Sequence, residues 1–319
     1  MPHSLSDTLV LLGRWLQGTG YQFTAVTPAT HARLNARPGS GAARNLRDVF
    51  GWSRPFAADL LPAQALGWLR LGGLLDESGE LLRSKVRFST LGGHLYAHSA
   101  YPTSEADAVF FGPDTYRFTA LIEAELARLP LRPGARILDI GCGAGPGGMT
   151  AAWASAACQP ELLLADISAR ALVFARANVE LAALAGTRFQ QANLFASLEG
   201  RFDLIVANPP YLVDAGERIY RHGGGALGSG LSLRIVREGL PQLVPGGRLI
   251  LYTGAPIVKG RDPFREEVAP LLQQAGIDFS YRELDPDVFG EELDTPAYAQ
   301  AERIAAVALV AQQPASPAP

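Results

Sequence analysis

The chain has 319 residues, 48% of them hydrophobic, which is enough for one large core and a smaller second one. Its 28 basic and 31 acidic residues leave a net charge of −3, which excludes global attraction to nucleic acid or an anionic membrane. The two cysteines, Cys142 and Cys158, have no metal-ligand spacing, and neither a membrane span nor a secretory pattern occurs. The expectation is a soluble, cytoplasmic protein without disulfides, metal or membrane attachment.

Before about residue 110 the pattern is helices followed by short strands. Ser4 to Leu16 spaces apolar residues helically behind a Ser cap, and Pro62 to Leu71 is a second amphipathic helix with proline at its start. Ala36 to Ala43 reads as a loop. Leu74-Leu75 and Leu81 to Phe88 flank the turn Asp76-Glu77-Ser78-Gly79, and His94 to His98 adds a strand. Helices leading into a β-hairpin predict a small α+β, winged-helix-like domain over residues 1–109.

From Arg132 the chain alternates strand and helix. Strands are predicted at Arg136–Ile140, Leu162–Ala165, Arg188–Gln191, Phe202–Ala207 and Arg248–Tyr252. Helices are predicted at Gly147–Ala157, Ser168–Leu184, Leu231–Leu243 and Asp262–Ala275. Ile277–Leu284 and Ile304–Ala311 have no helix between them and suit an antiparallel edge. The alternation predicts an α/β domain over 110–313 with a doubly wound, mostly parallel sheet, whose ligands bind beyond the carboxyl ends of the strands. Residues 314–319 read as a disordered tail.

Asn208-Pro209-Pro210-Tyr211 follows the apolar run Phe202–Ala207, where a buried strand ends. Two prolines there fix φ and remove donors, so the chain leaves the sheet as a stiff lip. Asn208, restricted by the proline after it, offers an oxygen and a carbonyl held in place for a planar –NH2 group. Upstream, Asp139 precedes Gly141-Cys142-Gly143-Ala144-Gly145, a strand–turn–helix junction where a ligand can approach the backbone. Glycines alone also suit dinucleotides. A carboxylate just before them would repel a pyrophosphate and orient a cationic ligand. Asp166, with Ile167 after it, ends the next strand, where a carboxylate can take both ribose hydroxyls. Asn193 follows the third strand and can address an adenine edge, with Leu194 packing on the ring.

Groups for an amino acid, a ribose and an adenine, in that order, describe S-adenosylmethionine. Residues 110–311 resemble a class I S-adenosylmethionine-dependent methyltransferase, which implies a seven-stranded Rossmann-like sheet. The NPPY tetrapeptide resembles that of the amino-methyltransferases, above all the release-factor glutamine N5-methyltransferases and the small-domain rRNA methyltransferases. Gly112-Pro113-Asp114-Thr115 resembles the segment with which the glutamine enzymes cover the cofactor. Gly223-Gly224-Gly225 with Gly230-Leu231 resembles their glycine-rich stretch. The resemblance implies that Asp114, Thr115, Asp139, Gly141, Cys142, Gly143, Gly145, Asp166, Ile167, Asn193, Leu194 and Asn208 hold the cofactor. It further implies that Asn208, Pro209, Pro210 and Tyr211 hold the acceptor, a protein glutamine or an rRNA base of the translation machinery. Departures are Asn193 in place of Asp, Arg221-His222 in place of an acidic residue, and an N-terminal third unlike their release-factor-binding bundle.

Blander readings stand beside these. Asp166 can be a helix cap with Ser168 as competitor, Cys142 a small buried residue, and His222 an exposed loop histidine. Arg83, Lys85 and Arg87 alternate, which puts them on one strand face, solvated or touching phosphates. Arg33, Arg37, Arg44, Arg47 and Arg54 make the early segment locally basic. Phe110, Phe111, Tyr116 and Phe118 read as core or cofactor lid. A small-molecule methyltransferase, or another enzyme using the same cofactor, is the alternative function.

Overall fold

The computed structural model describes residues 4–103, 105–214, 216 and 218–315. Helix α1 (Leu5–Gly18) starts where the sequence places it. The Ser4 hydroxyl accepts from Asp7 N (3.1 Å) and the Asp7 carboxylate accepts from Ser4 N (2.9 Å), a reciprocal cap that satisfies two orphan donors. Its buried face carries Leu9, Leu12 and Leu16. Helices α2 (Pro28–Asn35) and α3 (Leu46–Phe50), capped by Thr27 and Asn45, are too short to leave a periodic signal and were not expected. Helix α4 (Ala63–Leu71) follows Pro62.

Strands β1 (Leu75–Asp76) and β2 (Arg83–Ser84) pair across the expected turn, and β3 (Val86–Leu91) and β4 (His94–Ser99) form a second hairpin. Gly92 and Gly93, at φ 57° and 81°, supply the left-handed pair its tight turn requires. The strand predicted as continuous over Leu81–Phe88 breaks at Lys85. Arg83 and Lys85 are exposed while Arg87 is buried, so the expectation of one shared basic face fails.

Two compact units result. One holds the chain up to Tyr116 together with Gly143–Pro146 and Ala169–Ala185, and the other holds the remainder. In the first, helix α7 (Ala169–Leu181) packs on α1, where a Cβ on Gly13 would fall 2.5 Å from Leu181. Asn178 of α7, fully buried, reads the β4 backbone through Ala97 N (2.7 Å) and Ala97 O (3.0 Å), so no buried amide is wasted.

The second unit is built on a seven-stranded sheet. Its strands are β5 (Arg136–Ile140), β6 (Glu161–Asp166), β7 (Thr187–Gln191), β8 (Phe202–Ala207), β9 (Leu243–Val258), β10 (Asp278–Asp285) and β11 (Ala301–Gln312). Their order is β10-β11-β9-β8-β5-β6-β7, parallel from β7 through β9 and antiparallel on both sides of β11. Helices α6 (Pro146–Ala154), α8 (Gly230–Gly239) and α9 (Pro263–Gln274) fall between strands as read. The last two strands are antiparallel, but only β10 is an edge, since β11 inserts between β10 and β9. Strand β9 begins earlier than expected. The register jumps from Phe202 opposite Leu243 to Leu204 opposite Arg248, so Pro245-Gly246-Gly247 bulges out of the ladder without ending it.

Helix α5 (Pro113–Arg128), also unexpected, has its last carbonyls satisfied by buried Arg248, whose guanidinium donates to Glu125 O (3.2 Å) and Leu129 O. Of the predicted tail, Pro314 O accepts from Gly246 N (3.2 Å), and 316–319 lie outside the described residues.

Candidate active site

The sheet changes direction of travel at β5. From β5 the chain steps to β6 and then β7 on one side, returns to β8 on the other side and proceeds to β9. A crevice opens at such a switch point, at the carboxyl ends of β5 and β8. Register fixes what emerges there. Ile140 pairs with Ala207 and with Ala165, so Asn208 and Asp166, one residue further on, leave the sheet level with Gly141. Asp166 pairs with Gln191, which puts Asn193 two residues beyond the end of β7. At about 4.8 Å between strands, the row Asn208–Gly141–Asp166–Asn193 is roughly 14 Å long. That length suits an extended ligand lying across the strand ends.

Asp139 is the most constrained member. It is 2% exposed, and its carboxylate accepts from Gly148 N (2.7 Å) in the first turn of α6. A Cβ on Gly147 would lie 3.1 Å from the carboxylate, and one on Gly148 would lie 2.9 Å from the Asp139 Cβ, so both glycines are needed for the helix to start this close. Burial pushes Asp139 up to about 7, the Gly148 N–H opposes this, and the nearby Asp166 charge adds to the rise. Gly141, Gly143 and Gly145 all have positive φ (69°, 54° and 88°), which accounts for glycine at each. Gly141 N and Cys142 N both donate to Ala165 O (2.9 and 3.0 Å), locking the end of β5 to the end of β6. Cys142 is buried, and burial raises its thiol well above the ordinary range, so it is an inert packing residue.

Asp166 does cap locally, accepting from Ser168 N (2.8 Å). Beside it Ile167 is 48% exposed, an unusual placement for a large apolar side chain at a strand end. Asn193 is exposed, whereas Leu194, at φ 50°, turns its side chain into the hydrophobic core with Phe195, Phe202 and Leu240. Asp114 and Thr115 lie in the first turn of α5, both buried, and the Thr115 hydroxyl accepts from Gly112 N (3.2 Å) as an N-terminal cap.

Asn208 is half-buried and Pro209 buried. The Tyr211 ring is 6% exposed and packs inward, edge-on to Phe289 (5.9 Å) and tilted against Tyr252 (6.4 Å). It lies over Gly254, where a Cβ would come within 2.3 Å of the ring. Tyr211 therefore props the lip from below. The glycine-rich stretch wraps the same lip. Gly223 N donates to Leu212 O (2.8 Å) and Gly223 O accepts from Leu231 N (2.7 Å). A Cβ on Gly223 would fall 2.7 Å from Pro210 O, and one on Gly228, at φ 83°, would fall 2.2 Å from Tyr211 O.

A charged clasp, not foreseen from sequence, fixes the segment after the lip. Asp214 accepts from both ends of the Arg218 guanidinium and from Arg218 N (3.0 Å), and it pairs with Arg221 (3.4 Å). Arg221 also bonds Glu292, far along the chain between β10 and β11. The Arg218 hydrogen bonds hold Asp214 down at about 2, while burial raises Glu292 against the pull of Arg221. His222, expected on an exposed loop, is half-buried. Its Nδ1 accepts from Asp214 N (3.2 Å), so in the neutral ring the proton sits on Nε2. The Asp214–Arg218 spacing was visible in the sequence, but nothing local announces Glu292.

Among the described residues no group of three or more His, Cys, Asp or Glu could hold a metal ion, and no helix is long and apolar enough to cross a membrane.

A seven-stranded sheet with one inserted antiparallel strand, and a glycine turn at its switch point, is the doubly wound, Rossmann-like architecture expected from the sequence. Residues 119–255 match the family model of the methyltransferase small domain. The release factor glutamine methyltransferase of Deinococcus radiodurans is 34% identical over 185 residues, 55% of this chain and 64% of that one. The ribosomal RNA small subunit methyltransferase C of Salmonella arizonae is 39% identical over 107 residues, 32% of this chain and 30% of that one. Among solved structures, the ribosomal protein L11 methylase of Lactobacillus delbrueckii subsp. bulgaricus is similar at 18% identity and a TM-score of 0.42, over 62% of this chain and 80% of that one. The chain thus spans less than two thirds of either curated relative. S-adenosylmethionine is the methyl donor of the family. The residues present suit it: a buried carboxylate facing the start of α6, a left-handed glycine turn, and a second carboxylate level with that turn.

Proposed function

We propose that this chain is an S-adenosylmethionine-dependent N-methyltransferase acting on a planar –NH2 group, amide or nucleobase amine, of a macromolecule of the translation machinery in the cytoplasm. The observation that carries the reading is the level placement of Asn208 beside Gly141 on adjacent strands of the switch point. Asp139 and the Gly141–Gly145 turn take the amino-acid end of the cofactor, Asp166 the ribose, and Ile167 and Asn193 the adenine. When bound, the cofactor supplies a methyl group on a positively charged sulfur.

The chain's own part is alignment. The Asn208 side-chain oxygen and the Pro209 carbonyl accept the two N–H bonds, which aims the nitrogen lone pair at the methyl carbon. With the cofactor bound, its methyl would pass to that nitrogen as the carbon–sulfur bond broke, and the nitrogen would then give up a proton to solvent. Holding both reactants at about 3–3.5 Å in line contributes most of the acceleration, with no strong base required. The inward packing of Tyr211 and the glycine wrap support this reading, because both serve to keep the lip from moving. A small-molecule acceptor is not favoured, since both curated relatives act, by their names, on a protein or an RNA.

The test is incubation with cofactor carrying a labelled methyl and with ribosomal RNA or release factor from cells lacking the gene. Label on an amide or base nitrogen is the expected result. Label confined to oxygen or carbon in both substrates would contradict the proposal.

A further inference from the structure

The early arginines are unused by the catalytic reading. No acidic residue occurs between Asp7 and Asp48, yet Arg33, Arg37, Arg44 and Arg47 fall in that stretch and all are exposed. Several surface arginines elsewhere are matched: Arg70 with Glu77, Arg188 with Glu161, Arg234 with Glu238 and Arg261 with Glu266. Among the described residues none of the four makes an ion pair. The one nearby carboxylate is spent. Asp48, 7% exposed, takes Arg54 on one oxygen (2.7 Å) and Arg44 N on the other (2.9 Å).

The same contacts hold the four together. Arg54 also donates to Asn35 (3.0 Å), tying the end of α2 to α3, and Ala43 N donates to Pro55 O (2.7 Å), which closes the intervening loop. Ser40 N donates to Arg37 O (3.1 Å), and the Arg44 guanidinium folds to within 3.4 Å of the Cβ position of Gly39. Arg33 in the last turn of α2, Arg37 just beyond it, Arg44, and Arg47 in α3 therefore border one braced loop. Like charges gathered with no counter-charge repel one another, and a fold keeps such a cluster at a cost unless a polyanion neutralises it.

We infer that the α2–α3 loop, through Arg33, Arg37, Arg44 and Arg47, is a docking surface for the phosphate backbone of RNA. The inference rests on the methyltransferase reading and narrows its acceptor to RNA over protein. Guanidinium groups suit this partner, since each can bind two phosphate oxygens at once. The contacts position the RNA without reading its sequence. The net charge of −3 does not oppose this, because salt confines each charge's reach to about 10 Å and the local cluster dominates.

The test measures binding of a labelled single-stranded RNA to the full chain across a salt series. Four phosphate contacts predict a log–log slope of about −3. The combined Arg33→Gln, Arg37→Gln, Arg44→Gln and Arg47→Gln variant should bind at least about tenfold more weakly at moderate salt, with a slope near zero. The corresponding four-lysine variant should keep most of the slope. Thermal unfolding checks that the surface changes leave the fold intact, and cofactor binding should match wild type. Unchanged RNA affinity and slope in the glutamine variant would overturn the surface. So would an acidic polypeptide, poly-glutamate, that competes as well as RNA does. A wild type that binds RNA through these arginines yet transfers no methyl supports the surface and counts against the catalytic reading instead.

Discussion

At the scale of single residues, burial is tuned against charge in both units. Asp139 sits at about 7, so it loses its negative charge as the pH falls below that. A cationic ligand that needs the carboxylate binds best above this point and weakens by about tenfold for each pH unit below it. Calorimetry of S-adenosylmethionine binding across this range checks it, with Asp139→Asn as control. The variant reports any titration of the ligand itself, so the difference between the curves isolates the carboxylate. Identical pH slopes would contradict the assignment. The histidines beside Arg87 have their proton affinity shifted the other way, downward. His31, whose Nδ1 lies 3.3 Å from that guanidinium, is pulled from 6.5 down to about 4 by burial and then by Arg87. His98, fully buried, is lowered in the same way. For His31 the unfolded chain binds the proton near 6.5 and the folded chain only near 4, so its stability is complete above 6.5 and is lost as pH falls toward 4. The thermal midpoint should drop over that window, and replacing His31 by Gln should flatten the drop.

At the scale of elements, the lip is held from three directions: Tyr211 beneath, the glycine wrap beside it and the Asp214–Arg221–Glu292 clasp behind. Gly223→Ala puts a methyl 2.7 Å from Pro210 O, where only backbone can yield, so methyl transfer should fall by at least about tenfold while cofactor affinity holds. Arg221→Ala leaves Asp214 with Arg218 but strips Glu292 of its cation. A loss of about 1–3 kcal/mol in denaturant unfolding is expected, and Glu292→Gln in the same background should restore part of it.

The elements differ in how much of them the sequence discloses. Strands β5 and β8 were legible to the residue because both are short apolar runs closed by glycine or proline. Helix α5 was not, since its apolar positions double as a cluster of aromatics that reads as a lid. The bulge at Pro245-Gly246-Gly247 reads locally as a stop, and only pairing with β8 carries β9 through it. In the site, glycines, prolines and strand-end carboxylates announce themselves by backbone demand. The inward turn of Leu194 and the reach of Arg221 to Glu292 depend on tertiary packing and leave no local trace.

At the scale of the molecule, the proposed function assigns chemistry to the sheet and attraction to the patch of charge. On the proposed reading the sheet sets donor and acceptor positions by strand register, and the arginine loop supplies attraction that the net charge of −3 cannot. On the proposed reading Asn208 grips the acceptor nitrogen and contributes little to holding the cofactor. Its most direct test is Asn208→Ala, with S-adenosylmethionine affinity by calorimetry and methyl transfer measured on the same preparation. Affinity within about threefold of wild type is expected, with transfer reduced by at least about a hundredfold. Full transfer in the variant would contradict that reading.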